Sequence, residues 1–307
     1  MRGLNQVTFN SASTQVTYGG GTLISEVVDA AAAQGVEVQT GNCNCVGTIG
    51  AILGGGYGRT MGIYGFGVDN LISVNIVTDD GLLTVSASSH PELWWAIRGA
   101  GANFGVVTSV TARAYPAPDA NAWVGELVYT EDKIEAVVSA IQRLTLAAPM
   151  ALFLYYATTG FPDYTPLVVA SPYYHNGTVT QGQAAFSSLY DIGPIVDTTA
   201  VLPYNKVNSG ADSFCVKGGR KPTYGVGFDV MDTAIWRQIW KEYTTFLQNP
   251  GTGSSVVLLE AYSLAYPQSI PDSSSAFPHR HVRFHAIAVP WYSDAHLDTT
   301  AQALGSS

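Results

Sequence analysis

Charge is scarce in this chain: 12% of its 307 residues are Asp, Glu, Lys or Arg, about half the ~25% of an ordinary soluble domain. Much of its surface is therefore uncharged. Basic residues are the scarcer kind, 14 against 23 acidic. The resulting formal charge of −9 repels phosphate backbones and anionic headgroups, which argues against nucleic-acid and membrane partners. The longest apolar stretch, around Leu144 to Ala157, is broken by Thr145 and Pro149 and falls short of the ~18 residues of a spanning helix. The first residues carry Asn5, Gln6, Thr8, Asn10 and Ser11 instead of an apolar h-region, so no signal peptide is read here. Localisation stays unassigned: secreted if a longer parent carries a signal.

Cysteine is equally sparse. Cys43, Cys45 and Cys215 cannot all pair within one chain, and the Cys43/Cys45 spacing fits neither a CxxC redox motif nor a zinc knuckle, so no disulfide framework is expected. No GxxxxGK[ST] loop, HExxH or GxSxG is present, which sets aside P-loop NTPases, zincins and α/β-hydrolases. The run Gly99 to Gly105 imitates a dinucleotide fingerprint, but its third glycine comes one position late and it feeds a strand, so a Rossmann site is rejected.

What is present suggests about two domains. A hairpin is expected from Gln6–Phe9 and Gln15–Tyr18, then a helix capped by Thr22 and ended by Gly35. Residues 41 to 67 are crowded with glycine and show neither helical nor strand period, as a backbone-lined loop region would. Tight turns alone are the plainer reading. A second hairpin turns at Asp79-Asp80-Gly81. A capping box of Ser89 and Glu92 then opens a helix over Pro91–Arg98, and a β-branched strand runs from Val106 to Tyr115. Prolines 116 and 118 mark the boundary between residues 1–116 and 117–307. Beyond it come a strand at Trp123–Tyr129, a helix striped by Ile134, Val137, Val138, Ile141 and Leu144, and strands at Leu152–Ala157 and Leu167–Tyr173. A short helix near Gln183–Tyr190, a long one at Asp232–Gln248, and strands at Ser255–Ser263 and His281–Val289 complete an α+β pattern.

Three further features could carry chemistry. His279, His281 and His285 share strand parity, so an extended segment would turn all three imidazoles to one side, as a metal site wants; no carboxylate stands at ligand spacing, and Pro278 places the first before the strand. Glu260, in the apolar run from Val256, is either a buried carboxylate or an outward strand residue. Asn176-Gly177-Thr178 is a glycosylation sequon if the chain meets the secretory pathway.

An ordered set of motifs carries a resemblance: Gly41-Asn42-Cys43-Asn44-Cys45-Val46-Gly47, Gly54-Gly55-Gly56-Tyr57-Gly58, Tyr64-Gly65, Val68-Asp69-Asn70-Leu71, Asp80-Gly81, His90-Pro91-Glu92-Leu93-Trp94-Trp95-Ala96, Arg98-Gly99 and Asn103-Phe104-Gly105-Val106-Val107-Thr108. Together they resemble the FAD-linked oxidases of the berberine-bridge-enzyme type, with the PCMH-type flavin domain of the vanillyl-alcohol oxidase group. Ala276-Phe277-Pro278-His279-Arg280 and Trp291 look, more loosely, like that family's substrate domain.

The resemblance implies a partial PCMH-type FAD-binding domain in residues 1–116, followed by an antiparallel-sheet substrate domain covered by helices. It implies FAD as cofactor, possible covalent attachment at Cys43, and cofactor contacts from Gly41, Val46, Gly47, Gly50, Gly54, Gly55, Gly56, Tyr57, Gly58, Asp69, Asn70, Gly105, Val106 and Val107. Such glycines would let main-chain amides approach a flat, anionic coenzyme. Asp69 and Arg98 could instead be structural caps. Hydride would pass from a small organic substrate to flavin, with molecular oxygen as final acceptor, in secondary metabolism; His285 is the candidate base. Relatives oxidise sugars, alkaloids and polyketides, and no residue here selects among them. The family's N-terminal subdomain, with its pyrophosphate loop and second flavin-bonding histidine, and its closing segment have no counterpart. The alternatives are thus an inactive, truncated flavin-domain remnant or a histidine-based metal protein; oligomeric state is unassigned.

Overall fold

The computed structural model describes residues 1–306. Its first part is a five-stranded antiparallel sheet. Strands β1 (Val7–Phe9) and β2 (Gln15–Gly19) form the first hairpin and are followed by helix α1 (Ile24–Ala33). Thr22 does not cap this helix as its position suggests: its hydroxyl donates to Gly19 O, and the Glu26 carboxylate reaches back to accept from Leu23 N at 2.7 Å. Gly35, at φ +64°, ends it as expected. Strand β3 (Val36–Glu37) precedes the glycine-rich segment, which holds α2 (Thr48–Leu53), α3 (Met61–Tyr64) and a 3-10 turn over Gly67–Asn70. These one-turn elements are too short to print a period on the sequence, which is why a loop was the natural expectation.

The second hairpin is β4 (Leu71–Thr78) and β5 (Gly81–Ser86), followed by α4 (Pro91–Ala100), β6 (Val106–Arg113) and β7 (Tyr115–Pro116). The sheet order is β1-β2-β6-β4-β5, with β3 and β7 pairing separately. Ser89 does not cap α4. Its hydroxyl donates to Thr84 O, and His90, at φ +58°, takes the cap position. The dihedrals leave the helical region at Arg98, where the sequence places the end.

The second part is a nine-stranded antiparallel sheet. Strands β8 (Asn121–Val124) and β9 (Leu127–Tyr129) replace the single strand expected over 123–129: the chain breaks at Gly125, where a Cβ would fall 2.5 Å from Thr199 Cα. Then come α5 (Ile134–Arg143), β10 (Met150–Thr158), β11 (Pro166–His175), α6 (Val179–Ala185), α7 (Ser187–Tyr190), β12 (Val196–Asp197), β13 (Ala200–Pro203), β14 (Tyr224–Phe228), α8 (Thr233–Phe246), β15 (Val256–Tyr262), β16 (Phe284–Val289) and α9 (Asp298–Ser306). The Asp232 side chain caps α8 through Ala234 N and Ile235 N.

Strand alternation gives this sheet two unlike faces. Leu152, Leu154, Tyr156, Val257 and Leu259 turn to α5 and α8, whose Val137, Ile141, Trp236, Trp240 and Tyr243 complete a buried core. Ala151, Phe153, Tyr173 and Tyr262 turn the other way, to Met61, Phe66 and Val68 of the glycine-rich segment. The first sheet packs its own core against α1 and α4, with Val16, Tyr18, Val27, Val74, Val110 and Ile97 buried. No helix among the described residues is long and apolar enough to cross a membrane.

A disulfide is present: Cys45 pairs with Cys215, 170 residues on, leaving Cys43 free. An odd count rules out complete pairing but not one bridge, and only folding brings that partner near. The histidine trio is not assembled either. Because β16 begins at Phe284, His279 and His281 lie in the loop before it, and His281 pairs with Asp272 at 3.0 Å in solvent. Among the described residues, the cluster of ligand-type side chains close enough for a metal is the three cysteines and includes no histidine.

Candidate active site

Between the glycine-rich segment and the far face of the large sheet lies a cavity of ≈ 390 Å³, within the usual range for small-molecule sites. One wall is mainly backbone and small side chains: Gly41, Asn42, Cys43, Val46, Ala51, Gly54 and Gly56, with Tyr57 at its edge. The other is a row of side chains from the large sheet: Phe153 and Tyr155 of β10, Leu258 and Glu260 of β15, and Val289 of β16. Phe214 and Trp291 close the rim, and Lys221 lies 3.8 Å above the Trp291 ring.

Of the residues that the sequence assigns to a cofactor, Gly41, Cys43, Val46, Gly54, Gly56 and Tyr57 line this cavity. Gly47 caps α2 and Gly50 lies within it; neither lines the cavity, and nothing lies within 4 Å of where a Cβ would sit. Gly55 and Gly58 serve packing: a Cβ there would fall 2.3 Å from the Phe277 ring and 2.1 Å from Thr40 O. Asp69 and Asn70 are structural in this fold. The Asp69 carboxylate takes a bidentate pair from fully buried Arg280, at 2.8 and 2.6 Å, and accepts Phe66 N–H. Asn70 donates to Tyr64 O and Phe66 O and accepts from the Tyr115 hydroxyl at 2.6 Å. Gly105, just before β6, packs on Val77 O, while Val106 is exposed and Val107 is core on β6; none of the three lines the cavity.

The sequence left Glu260 open between a buried carboxylate and an outward strand residue. It is half-buried with its carboxyl on the cavity wall. The Tyr262 hydroxyl donates to it at 2.7 Å and itself accepts from Asn42 Nδ2 at 2.7 Å. Burial raises the Glu260 carboxyl above its ordinary range, while the Tyr262 hydrogen bond and the charge of Arg59 oppose that shift. Strand alternation could have found the pair, since residues 260 and 262 share a face; nothing in the sequence says that this face opens on a cavity. His285 is the register partner of Glu260 on β16, but its ring stands edge-on to Tyr57, 4.4 Å between centroids, and off the cavity wall. Burial, aided by His279, lowers it to about 4, so it is neutral near pH 7.

The donor set fits the ring end of a flavin: a wall with bare backbone, open space above α2, aromatic surfaces and one free thiol. Among the described residues, Lys221 is the only basic side chain on the lining, so a diphosphate finds little neutralisation there.

Comparisons with known proteins bear on the family and the fold. Residues 1–86 match the family model described as "FAD binding domain". The FAD-linked oxidoreductase OXR1 of Pyricularia oryzae is 30% identical over 99% of this chain and 61% of its own length. Among solved structures, a carbohydrate oxidase from Microdochium nivale superposes with TM-score 0.82 at 18% identity, over 100% of this chain and 68% of that one. A variant of berberine bridge enzyme does so with TM-score 0.82 at 16% identity, over 100% and 63%. The chain spans about three fifths of the length of the curated relatives it matches. In sequence the chain is similar to FAD-linked oxidoreductases, with an FAD-binding match over residues 1–86, and in fold it is similar to berberine bridge enzyme.

Proposed function

We propose that the chain holds the ring end of FAD and faces the substrate in an FAD-dependent oxidase acting on a small organic molecule. The observation that carries this reading is one cavity with glycine backbone and Cys43 on one wall and Glu260, backed by Tyr262 and Asn42, on the other. When bound, FAD supplies a two-electron acceptor that oxygen can regenerate. The rest belongs to the protein. Cys43, half-buried at the cavity wall, is the residue available for a covalent tether. Phe153, Tyr155, Leu258 and Trp291 exclude water and hold the apolar body of a substrate.

Glu260 accepts the substrate proton. Its carboxylate is kept accessible to that role by the Tyr262 hydroxyl, which favours the ionised form, while Asn42 fixes the phenol in place. His285, neutral and edge-on to Tyr57, orients that ring. Relatives named as FAD-linked oxidoreductases from fungi support a place in secondary metabolism.

The test starts with the purified chain titrated with FAD and followed by visible absorbance and by mass after acid precipitation. Flavin retained by native protein and lost from Cys43→Ala supports the tether; a colourless protein with no FAD-dependent spectral change overturns the whole reading and leaves the inactive remnant. With flavin bound, peroxide release over panels of sugars, alkaloids and phenolic alcohols identifies the substrate. Glu260→Gln is expected to lower kcat about 100-fold and remove the acidic limb of the pH profile, with flavin content unchanged.

A further inference from the structure

A second cavity, of ≈ 600 Å³, lies on the β11 side of β10, whereas the site cavity lies on the β15 side. Strand alternation builds its floor: Tyr155 and Ala157 of β10 stand beside Val169 and Leu167 of β11 in antiparallel register, with Ser171 one step farther in. Val124 of β8 and Val128 of β9 extend this apolar surface, and the stretch from Val207 to Phe214 completes the lining. The Phe214 and Tyr155 rings, stacked at 6.4 Å between centroids, line both cavities.

Arg59 brings a charge to the inner end of this cavity. Its backbone N–H donates to Asn42 Oδ1 at 3.1 Å, and its side chain reaches the sheet, the guanidinium carbon lying 4.7 Å from the Phe153 ring centre and 5.9 Å from that of Tyr173. The residue is only 9% exposed. Nη1 donates to Asn208 Oδ1 at 2.7 Å, the one hydrogen bond that this side chain makes among the described residues, and Nε is buried without a partner. No carboxylate among the described residues forms an ion pair with it. Glu260 feels its charge from the neighbouring cavity, and Glu126 lines the second cavity with its carboxyl raised by burial alone. A buried guanidinium is costly without a counter-charge, and two aromatic rings offset only part of that cost. With Nη1 committed to Asn208, Nε and Nη2 form the edge that a carboxylate takes through two parallel hydrogen bonds.

We propose that the second cavity binds an organic monocarboxylate, its charged end held by Arg59 and its apolar or aromatic body laid along β10 and β11. The lining selects this class in two ways. Among the described residues, Arg59 is the only basic side chain on it, enough for one negative charge, whereas a phosphate dianion would lack a second cation and share the space with Glu126. The valines and leucines of the floor take up hydrocarbon, and the Tyr155 and Phe214 rings offer a flat surface to an aromatic body. The site needs neither flavin nor Glu260, and shares with the site cavity only Tyr155, Ala211 and Phe214.

The test titrates the full chain as purified with hexanoate and with cinnamate, each beside its uncharged alcohol, and with inorganic phosphate, all by calorimetry. Each carboxylate is expected to bind about tenfold more tightly than its alcohol, and more tightly than phosphate. Arg59→Met keeps the buried bulk and removes the charge. It is expected to weaken both carboxylates about tenfold and leave the alcohols unchanged, a selective loss that a general disturbance of the fold does not produce. Ser171→Leu leaves Arg59 in place and narrows the cavity; it is expected to weaken carboxylates and alcohols alike, and it keeps the test open if Arg59→Met fails to fold. The proposal is overturned if the native chain binds carboxylates no better than alcohols, or if Arg59→Met weakens both kinds equally. It is also overturned if Ser171→Leu changes nothing, or if phosphate binds as tightly as hexanoate, the mark of a plain anion site. Since calorimetry needs no flavin colour, a colourless chain that binds carboxylates overturns the flavin reading alone, and a yellow chain that binds none overturns this one alone.

Discussion

The two walls of the cavity are built in opposite ways. The glycine-rich wall owes its shape largely to missing side chains: the backbone of Gly41, Gly54 and Gly56 is itself part of the lining. The sheet wall is made of side chains, Phe153, Tyr155, Leu258 and Glu260, brought side by side by antiparallel register across β10 and β15. A wall shaped by omission can be recognised from composition, because few other duties call for so many glycines in a short stretch. A wall of side chains on neighbouring strands depends on pairings between residues more than a hundred positions apart. The walls are held together by contacts that line neither: Asp69 with Arg280, and Glu37 of β3 with His175 at the end of β11.

The largest test of this contrast strikes the clamp. Asp69→Ala leaves the guanidinium of Arg280 buried and unpaired, and a loss of about 3–5 kcal/mol is expected in denaturant unfolding. Combining it with Arg280→Met is expected to restore part of that loss, since no buried charge is then left alone.

The second clamp is read through pH. Burial raises the Glu37 carboxyl to about 7, against a lowering by the Tyr64 hydroxyl, and burial lowers His175 to about 4. Between its unfolded value of 4.5 and about 7, Glu37 holds more proton in the folded state, so its contribution falls as pH rises. Between about 4 and its unfolded value of 6.5, His175 holds less proton in the folded state, so its contribution rises with pH. In the native chain the two slopes oppose each other where the windows overlap. Glu37→Gln removes one of them, and stability is expected to increase by about 2–3 kcal/mol from pH 4 to 6.5, a slope that the native chain largely hides.

Within the glycine wall, two substitutions separate packing glycines from open ones. Gly58→Ala drives a Cβ to 2.1 Å from Thr40 O, and overpacking of this kind is expected to cost about 1–3 kcal/mol. Gly50→Ala meets nothing within 4 Å and lies in helix α2, so unfolding free energy is expected to rise by about 0.5–1 kcal/mol through helix propensity. Equal losses at both positions would show that the wall has no open side.

Much of the fold was legible because it is local. The 7–19 and 71–86 hairpins, α4 behind Pro91 and the striped helices α5 and α8 follow from alternation, turn residues and periodicity. The caps were misread where a carbonyl just upstream competed for the hydroxyl: Thr22 turned back to Gly19 O and Ser89 to Thr84 O. At the site, Gly41, Cys43, Val46, Gly54, Gly56 and Tyr57 were legible as motif residues and line the cavity, whereas Asp69 of the same ordered set serves the clamp and Asn70 binds Tyr64, Phe66 and Tyr115. Motif membership did not separate the two duties, because one close-packed turn answers to both.

By itself the sequence determined the flavin-family relationship, the glycine wall and the strand faces, since each is a matter of order and spacing within short stretches of chain. Tertiary structure alone decided that Asn42, Tyr262 and Glu260 join in one hydrogen-bonded row beside the cavity, that His285 stands against Tyr57, and that Cys45 bonds Cys215 with Cys43 beside it. The reason is physical: these groups meet through strand register and through the docking of a segment 170 residues away. Those interactions come from the folded chain's close packing, and no local periodicity encodes them.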